Sequence, residues 1–190
     1  KKELKEVKSI IKSIQPHAKI IETDYSKVDI NEVIDTNLFD FEEAAMSAGW
    51  IEALENPEEE DESGELLEYG ISTFVYYKRS PFNRRLFYKF LEEKWDKSII
   101  RVKGVVYFTD ELNMAYMFEA AGNSKALTPT GPWISDMPAQ EQEAIIIANP
   151  SIKDDWDDEY GDKMIKIVFI GKNMNKKEIT SKLDSFLDLE

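Results

Sequence analysis

Gly70-Ile71-Ser72-Thr73-Phe74-Val75-Tyr76-Tyr77-Lys78 runs directly into Arg79-Ser80-Pro81-Phe82-Asn83-Arg84-Arg85-Leu86-Phe87-Tyr88-Lys89-Phe90-Leu91, and the change of period between the two decides the fold. The first stretch carries β-branched and aromatic side chains on both faces, which suits a strand over Ile71 to Lys78. In the second, Asn83 is placed to cap a helix that turns Leu86, Phe87, Phe90 and Leu91 inward. A strand followed at once by a helix sets the pattern for what comes after it.

Toward the C-terminus, Ile99 to Phe108 reads as a second strand, with Gly104 as a candidate bulge. Met114 to Leu127 fits either a strand or a helix, and Gly122-Asn123 inside it suits a tight hairpin turn. Ala144 to Ile147 is a short apolar run, readable as a helix end or a buried strand. Met164 to Ile170 is a strand. Asn175 with Glu178 predicts a capped final helix burying Ile179, Leu183, Phe186 and Leu187. The series is β-α-β-β-β-α, and its nearest simple architecture is a ferredoxin-like α+β layer, a mainly antiparallel sheet with helices over one face.

Toward the N-terminus the pattern changes. Leu4, Val7, Ile10, Ile11 and Ile14 recur at helical spacing, and Pro16 ends that helix because the residue before a proline is pushed toward extended geometry. Ala18 to Thr23 reads as a short strand. Asp29 with Glu32, and Asp40 with Glu43, are spaced as capping boxes for two further helices. Glu55 to Glu68 then holds eight acidic residues in fourteen, with a Pro and a Gly. Charge packed this densely resists burial and predicts a linker, so the main domain boundary is placed here.

Composition restricts the chemistry. The chain has 190 residues, 42% hydrophobic and 12% aromatic, enough for a packed core. Its net charge is −14, a surface that repels nucleic-acid phosphates and anionic membranes, so neither is an expected partner. With no cysteine there is no disulfide, no thiolate metal site and no cysteine nucleophile, a usage that fits a cytoplasmic protein. No apolar run is long enough to span a bilayer, and no secretory signal core opens the chain. The first residues, already helical in pattern, read as a continuation from a longer protein.

Few residues qualify for chemistry. There is no Gly-x-x-x-x-Gly-Lys-Ser/Thr loop and no Gly-x-Gly-x-x-Gly. The single histidine, His17, reads as a solvated residue at a helix end. In the acidic run, Glu58, Glu59, Asp61 and Glu62 could form a weak site for a hard cation such as Ca²⁺ or Mg²⁺. That run offers zinc no nitrogen or sulfur ligand. Asp154, Asp155, Asp157, Asp158, Glu159 and Asp162 form a second acidic cluster around Trp156 that lacks the alternation of a calcium-binding EF-hand loop. Lys78, Arg79, Arg84, Arg85 and Lys89 form one basic patch, suited to a phosphate, an acidic partner or this protein's own acidic loops. The aromatics at 74–90 are spaced as core.

Several stretches together resemble the CobW family of metal-handling GTPases. Ile14-Gln15-Pro16-His17-Ala18-Lys19-Ile20 is similar to the Asn-Pro-x-Ala-x-Ile segment after that family's last GTPase-domain helix, with Gln15 for the Asn. Thr23 to Asp29 followed by Asp35-Thr36-Asn37-Leu38-Phe39-Asp40 is similar to its Val-Asp … Thr-Gly-Leu-Phe-Asp passage, with Asn37 for the Gly, and Trp50 to the Gly-Trp ending the connector. Gly70 to Tyr76, Arg79-Ser80-Pro81-Phe82, Arg85-Leu86, Arg101-Val102-Lys103-Gly104 and Gly161-Asp162 before Val168-Phe169-Ile170-Gly171 resemble the family's C-terminal domain. Where many members carry a His-rich run, this chain has Glu55 to Glu68.

The resemblance implies three parts: a C-terminal remnant of a P-loop GTPase domain over 1–36, a connector helix and acidic linker over 37–67, and a CobW C-terminal domain over 68–190. It implies a parent protein that uses GTP, Mg and Zn, in zinc delivery or cobalamin synthesis, with the phosphate loop and the Cys-x-Cys-Cys metal motif upstream. This chain is then expected to be a non-catalytic regulatory or docking domain. Its partners would be its own N-terminal GTPase domain and a client metalloprotein, met by either an exposed sheet face or the 128–160 region with Trp133 and Trp156. The competing expectation is a carboxylate-rich module for divalent cations.

Overall fold

A computed structural model describes residues 2–36, 69–93 and 95–187. Five strands form one antiparallel sheet: β1 (Ile71–Lys78), β2 (Ile99–Phe108), β3 (Glu111–Ala121), β4 (Ser124–Pro132) and β5 (Ile165–Lys172), in the spatial order β1-β5-β2-β3-β4. The helices are α1 (Lys2–Ile14), α2 (Arg84–Glu92), α3 (Ala139–Ala148) and α4 (Lys176–Asp184). The fold is α+β, with one strand and one helix more than the six-element series expected. The ambiguous 114–127 stretch is a hairpin of two strands turning at Gly122-Asn123, and Ala144 to Ile147 is the end of α3.

The chain goes from β1 through α2 to β2, and β5 inserts between them antiparallel to both, which makes β1 and β2 parallel in direction. This is the split β-α-β arrangement of ferredoxin-like folds. α2 and α4 lie over the same face. Phe74 stacks on Phe169 across β1 and β5 with ring centroids 5.0 Å apart, and Phe90 of α2 meets Phe186 beyond α4 at 5.4 Å. Phe87 is fully buried between Phe82, at 5.2 Å, and Phe118, at 5.2 Å edge-on. Asn83 caps α2 by accepting from the Leu86 N–H at 3.2 Å, and Asn175 caps α4 by accepting from the Glu178 N–H at 3.3 Å. Leu86, expected inward, is 41% exposed; Phe87, Phe90 and Leu91 make the inner face.

Gly104 is not a bulge. It sits in regular register between Ile167 and Phe118, while the irregularities of β2 fall at Ile99/Arg101 and Val106/Phe108. A Cβ on Gly104 would lie 2.2 Å from the Lys166 carbonyl oxygen and 2.5 Å from the Ile167 Cα, so close strand approach requires glycine here.

Residues 2–36 differ from expectation. α1 buries Ser9 and Ser13, whose hydroxyls donate to the carbonyls of Lys5 and Ile10, and joins the sheet through a Glu6–Lys172 ion pair. Its apolar residues point the other way: Leu4, Val7 and Ile11 are exposed. Residues 18–23 form no strand, since none of the described strands lies in register with them. The helix expected after Asp29 is a single 3₁₀ turn, Ile30–Glu32, capped by Asp29 through the Asn31 N–H. The Asp40–Glu43 capping box and the acidic run lie outside the described residues. No helix among the described residues is long and apolar enough to cross a membrane.

Candidate functional site

The 133–164 segment joining β4 to β5 is the largest excursion from the sheet, and it is pinned at three points. Arg79, just past β1, donates to the carbonyl oxygens of Asp155 at 2.5 Å, Lys163 at 3.0 Å and Gly161 at 3.3 Å. The Asp162 carboxylate accepts from the backbone N–H groups of Ile134, at 2.8 Å, and Ser135, at 2.9 Å, capping the 3₁₀ turn Ile134–Asp136 from a distance in sequence. Gly161 has φ +64°, and a Cβ there would meet the Ser135 Cβ at 2.4 Å, so two chain segments touch only because this residue is glycine.

Trp133 and Trp156 are both in this segment, in different roles. Trp133 is 6% exposed and lies edge-on to Tyr107, centroids 5.6 Å apart, so its indole belongs to the core and not to the surface. Tyr107 donates its hydroxyl to the Arg79 carbonyl, and burial raises its pKa. Trp156 is half-buried beside Gly161.

The acids of the segment divide into two sets. Asp136 pairs with Lys163 and Asp155 with Lys166, both at 2.7 Å. The Asp157 carboxylate accepts from the N–H groups of Tyr160 and Glu159, which holds it below the ordinary aspartate range. Glu141, Glu143, Asp154, Asp158 and Glu159 are exposed and form no ion pair among the described residues. No three His, Cys, Asp or Glu among the described residues are grouped to hold a metal ion. Glu58, Glu59, Asp61 and Glu62 lie outside the described residues.

The basic patch largely engages the protein's own acids and carbonyls. Arg84 lies over the rings of Phe108, at 4.4 Å, and Tyr116, at 5.0 Å. It donates to Asp110 at 2.8 Å and to Glu111 at 2.7 Å. Burial opposes its charge, and the bonds to Asp110, Tyr116 and Glu111 outweigh that and raise its pKa. Tyr116 donates to Glu111 as well; that bond and Arg84 hold the Glu111 carboxyl below its ordinary range. Lys78 pairs with Asp184 at 3.2 Å, and the Tyr76 hydroxyl donates to the same carboxylate at 2.9 Å. His17 is exposed after α1, as expected. Sequence reasoning missed Arg79 and Asp162 as the residues that build the segment, because each acts on backbone atoms far along the chain.

Comparison with known proteins places this domain in a family. Residues 71–187 match the family described as the cobalamin synthesis protein cobW C-terminal domain. The chain therefore belongs to the CobW C-terminal domain family. It is 30% identical over 187 residues to the zinc-regulated GTPase metalloprotein activator 1 of Dictyostelium discoideum, covering 97% of this chain and 38% of that protein. The zinc-bound YjiA GTPase from E. coli aligns with a TM-score of 0.47 at 17% identity, covering 98% of this chain and 48% of its own. A zinc-bound triple mutant of YjiA aligns with a TM-score of 0.46. The chain thus spans well under two thirds of each of these proteins.

Proposed function

We propose that this chain is a non-catalytic docking and regulatory domain of a GTP-dependent zinc chaperone in the cytoplasm. Residues 1–36 complete an N-terminal GTPase domain, 37–67 connect, and 68–190 form the domain that responds to nucleotide state and meets the client metalloprotein. GTP, Mg and Zn are used by the parent protein and are held outside this chain. The similarity to a zinc-regulated GTPase metalloprotein activator supports the metal and the nucleotide.

The observation that carries the reading is the inverted N-terminal segment. The sheet and its two covering helices bury their own aromatic core, yet Val7 is 50% exposed, Ile30 63%, Val33 55% and Ile34 53%. An amphipathic helix that turns its small polar residues to the sheet and its apolar stripe outward is built for a second body. A GTPase domain ahead of α1 meets that requirement.

The test is to mix this chain with the separately expressed N-terminal portion of the parent protein and follow association and GTP hydrolysis. Wild-type chain is expected to bind and alter hydrolysis. Val7→Asp with Ile11→Asp should abolish both effects while leaving the thermal unfolding of the sheet unchanged. Equal binding by the variant would refute the reading, and tight zinc binding by the isolated chain would reassign it as a metal carrier.

A further inference from the structure

We propose that α3 and the turns after it form the client-docking face, and that its occupant is a lysine- or arginine-rich protein segment presenting an apolar side chain to Ile147. The proposal rests on the docking reading above and specifies the partner's chemistry.

α3 is an unusual helix. Its sequence, Ala-Gln-Glu-Gln-Glu-Ala-Ile-Ile-Ile-Ala, places three isoleucines in succession, which no single helix face can cover. None of its residues is buried, and Ile147 is 71% exposed, the most exposed large aliphatic side chain among the described residues. With Ile145 and Ile146 only half-buried, the helix gains little from packing. It is nevertheless held in place. Gln142 donates from Nε2 to the carbonyls of Met137, at 2.8 Å, and Ser135, at 3.2 Å, and Asp162 and Arg79 anchor the segment on either side. An exposed apolar residue on an anchored support is pre-organised for a contact.

Charge selects the partner. Residues 134–162 contain nine acids and one lysine. Four of those acids, Asp136, Asp155, Asp157 and Asp162, hold the loop together. The other five, Glu141, Glu143, Asp154, Asp158 and Glu159, are the ones left facing solvent, on α3 and on the turns that follow it. An apolar point with unneutralised carboxylates on the same segment is complementary to a cationic amphipathic segment. The same sign disfavours anionic membranes and nucleic acids.

The probe is a fluorescein-labelled helical peptide of leucine and lysine, with a lysine–serine peptide of equal charge as its partner, titrated with the whole 190-residue chain at low and at moderate salt. Ile147→Gln, which keeps helix propensity, is expected to weaken the leucine–lysine peptide by about tenfold, equivalent to about 1.4 kcal/mol, and to leave the lysine–serine peptide unchanged. Glu141→Gln with Glu143→Gln should weaken both peptides more than the same charge change at Glu3→Gln with Glu92→Gln, two exposed acids elsewhere. Equal effects of the two charge pairs would mean that net charge alone attracts the peptide, and the proposal fails. An unchanged affinity in Ile147→Gln also overturns it. Neither failure touches the docking reading itself, which is scored by association with the N-terminal portion in the same variants.

Discussion

Arg79 donates a hydrogen bond to the carbonyl oxygen of Gly161, 82 residues further along the chain, and the same guanidinium holds Asp155 and Lys163. A charged fork on three backbone acceptors is a stronger anchor than any single side-chain pair. Arg79→Ala is expected to lower stability by about 1.5–3 kcal/mol and to expose the loop to proteolysis between residues 150 and 163. Arg79→Lys should restore only part of this, because an ammonium cannot span the three acceptors. Urea unfolding with mapped limited proteolysis reads both effects, and an uncut loop in Arg79→Ala would show that the anchor is redundant.

Gly104 predicts a size limit of one carbon. Gly104→Ala should destabilise the sheet by about 1–3 kcal/mol, the usual cost of overpacking, because the new Cβ meets backbone that has nowhere to go. Gly122→Ala, where no atom lies within 4 Å of the added carbon, should cost only the strain of its φ of +56°, about 1–2 kcal/mol, and Gly122→Asn less. Thermal midpoints of the three variants give the comparison; a neutral Gly104→Ala would mean the strands can separate at that point.

Acid should loosen the Arg84 cluster. The Glu111 carboxyl is held below its ordinary value of 4.5 by the bonds from Tyr116 and Arg84. With its folded pKa lowered, the unfolded chain binds the proton more readily, so the contribution is present above the ordinary value and is lost as pH falls through the folded one. Glu111→Gln should therefore be less stable than wild type at neutral pH, with the difference shrinking below about pH 4. Chemical unfolding across that range measures it, and a gap that stays constant with pH would rule out ionisation as the cause.

The inner face of α2 can be tested by neighbours. Phe87→Ala should cost about 3–5 kcal/mol, because it empties a site among four other aromatic rings, whereas Leu86→Ala should cost well under 1 kcal/mol. Comparable losses at both positions would mean the helix turns further than its contacts indicate.

Much of the sheet was legible because its signals are local. Asn83 and Asn175 announce their helices by side chains acting three residues away, and β1 and β5 are dense in the residue types that strands favour. The failures have a shared physical origin. α1 has the period of a buried face, but the period does not say which body buries it, and Ser9 and Ser13 took the inward side here. Residues 18–23 have strand composition, yet composition cannot supply a neighbouring strand. Met114 to Leu127 stayed ambiguous because β3 mixes small and apolar residues with its polar ones, until Gly122 breaks the run. Trp133, expected at the contact surface, is core because Tyr107, distant in sequence, lies edge-on to it, and nothing local in the sequence marks that contact. Arg79 and Asp162 act across long separations on backbone atoms, and nothing local marks them.

The strand order has a consequence for how this domain comes into being. β5 is last in sequence and second in space, between β1 and β2, which do not touch in the sheet without it. During synthesis the first four strands emerge as a free β1 and a three-stranded β2-β3-β4 meander that exposes its inner edge. Only when residues 165–172 clear the ribosome can the two halves be joined, and α4 then closes over the seam. A nascent or truncated chain that stops short of β5 is thus an open sheet edge awaiting a strand, and the domain's integrity is decided by the sheet strand that its sequence places last.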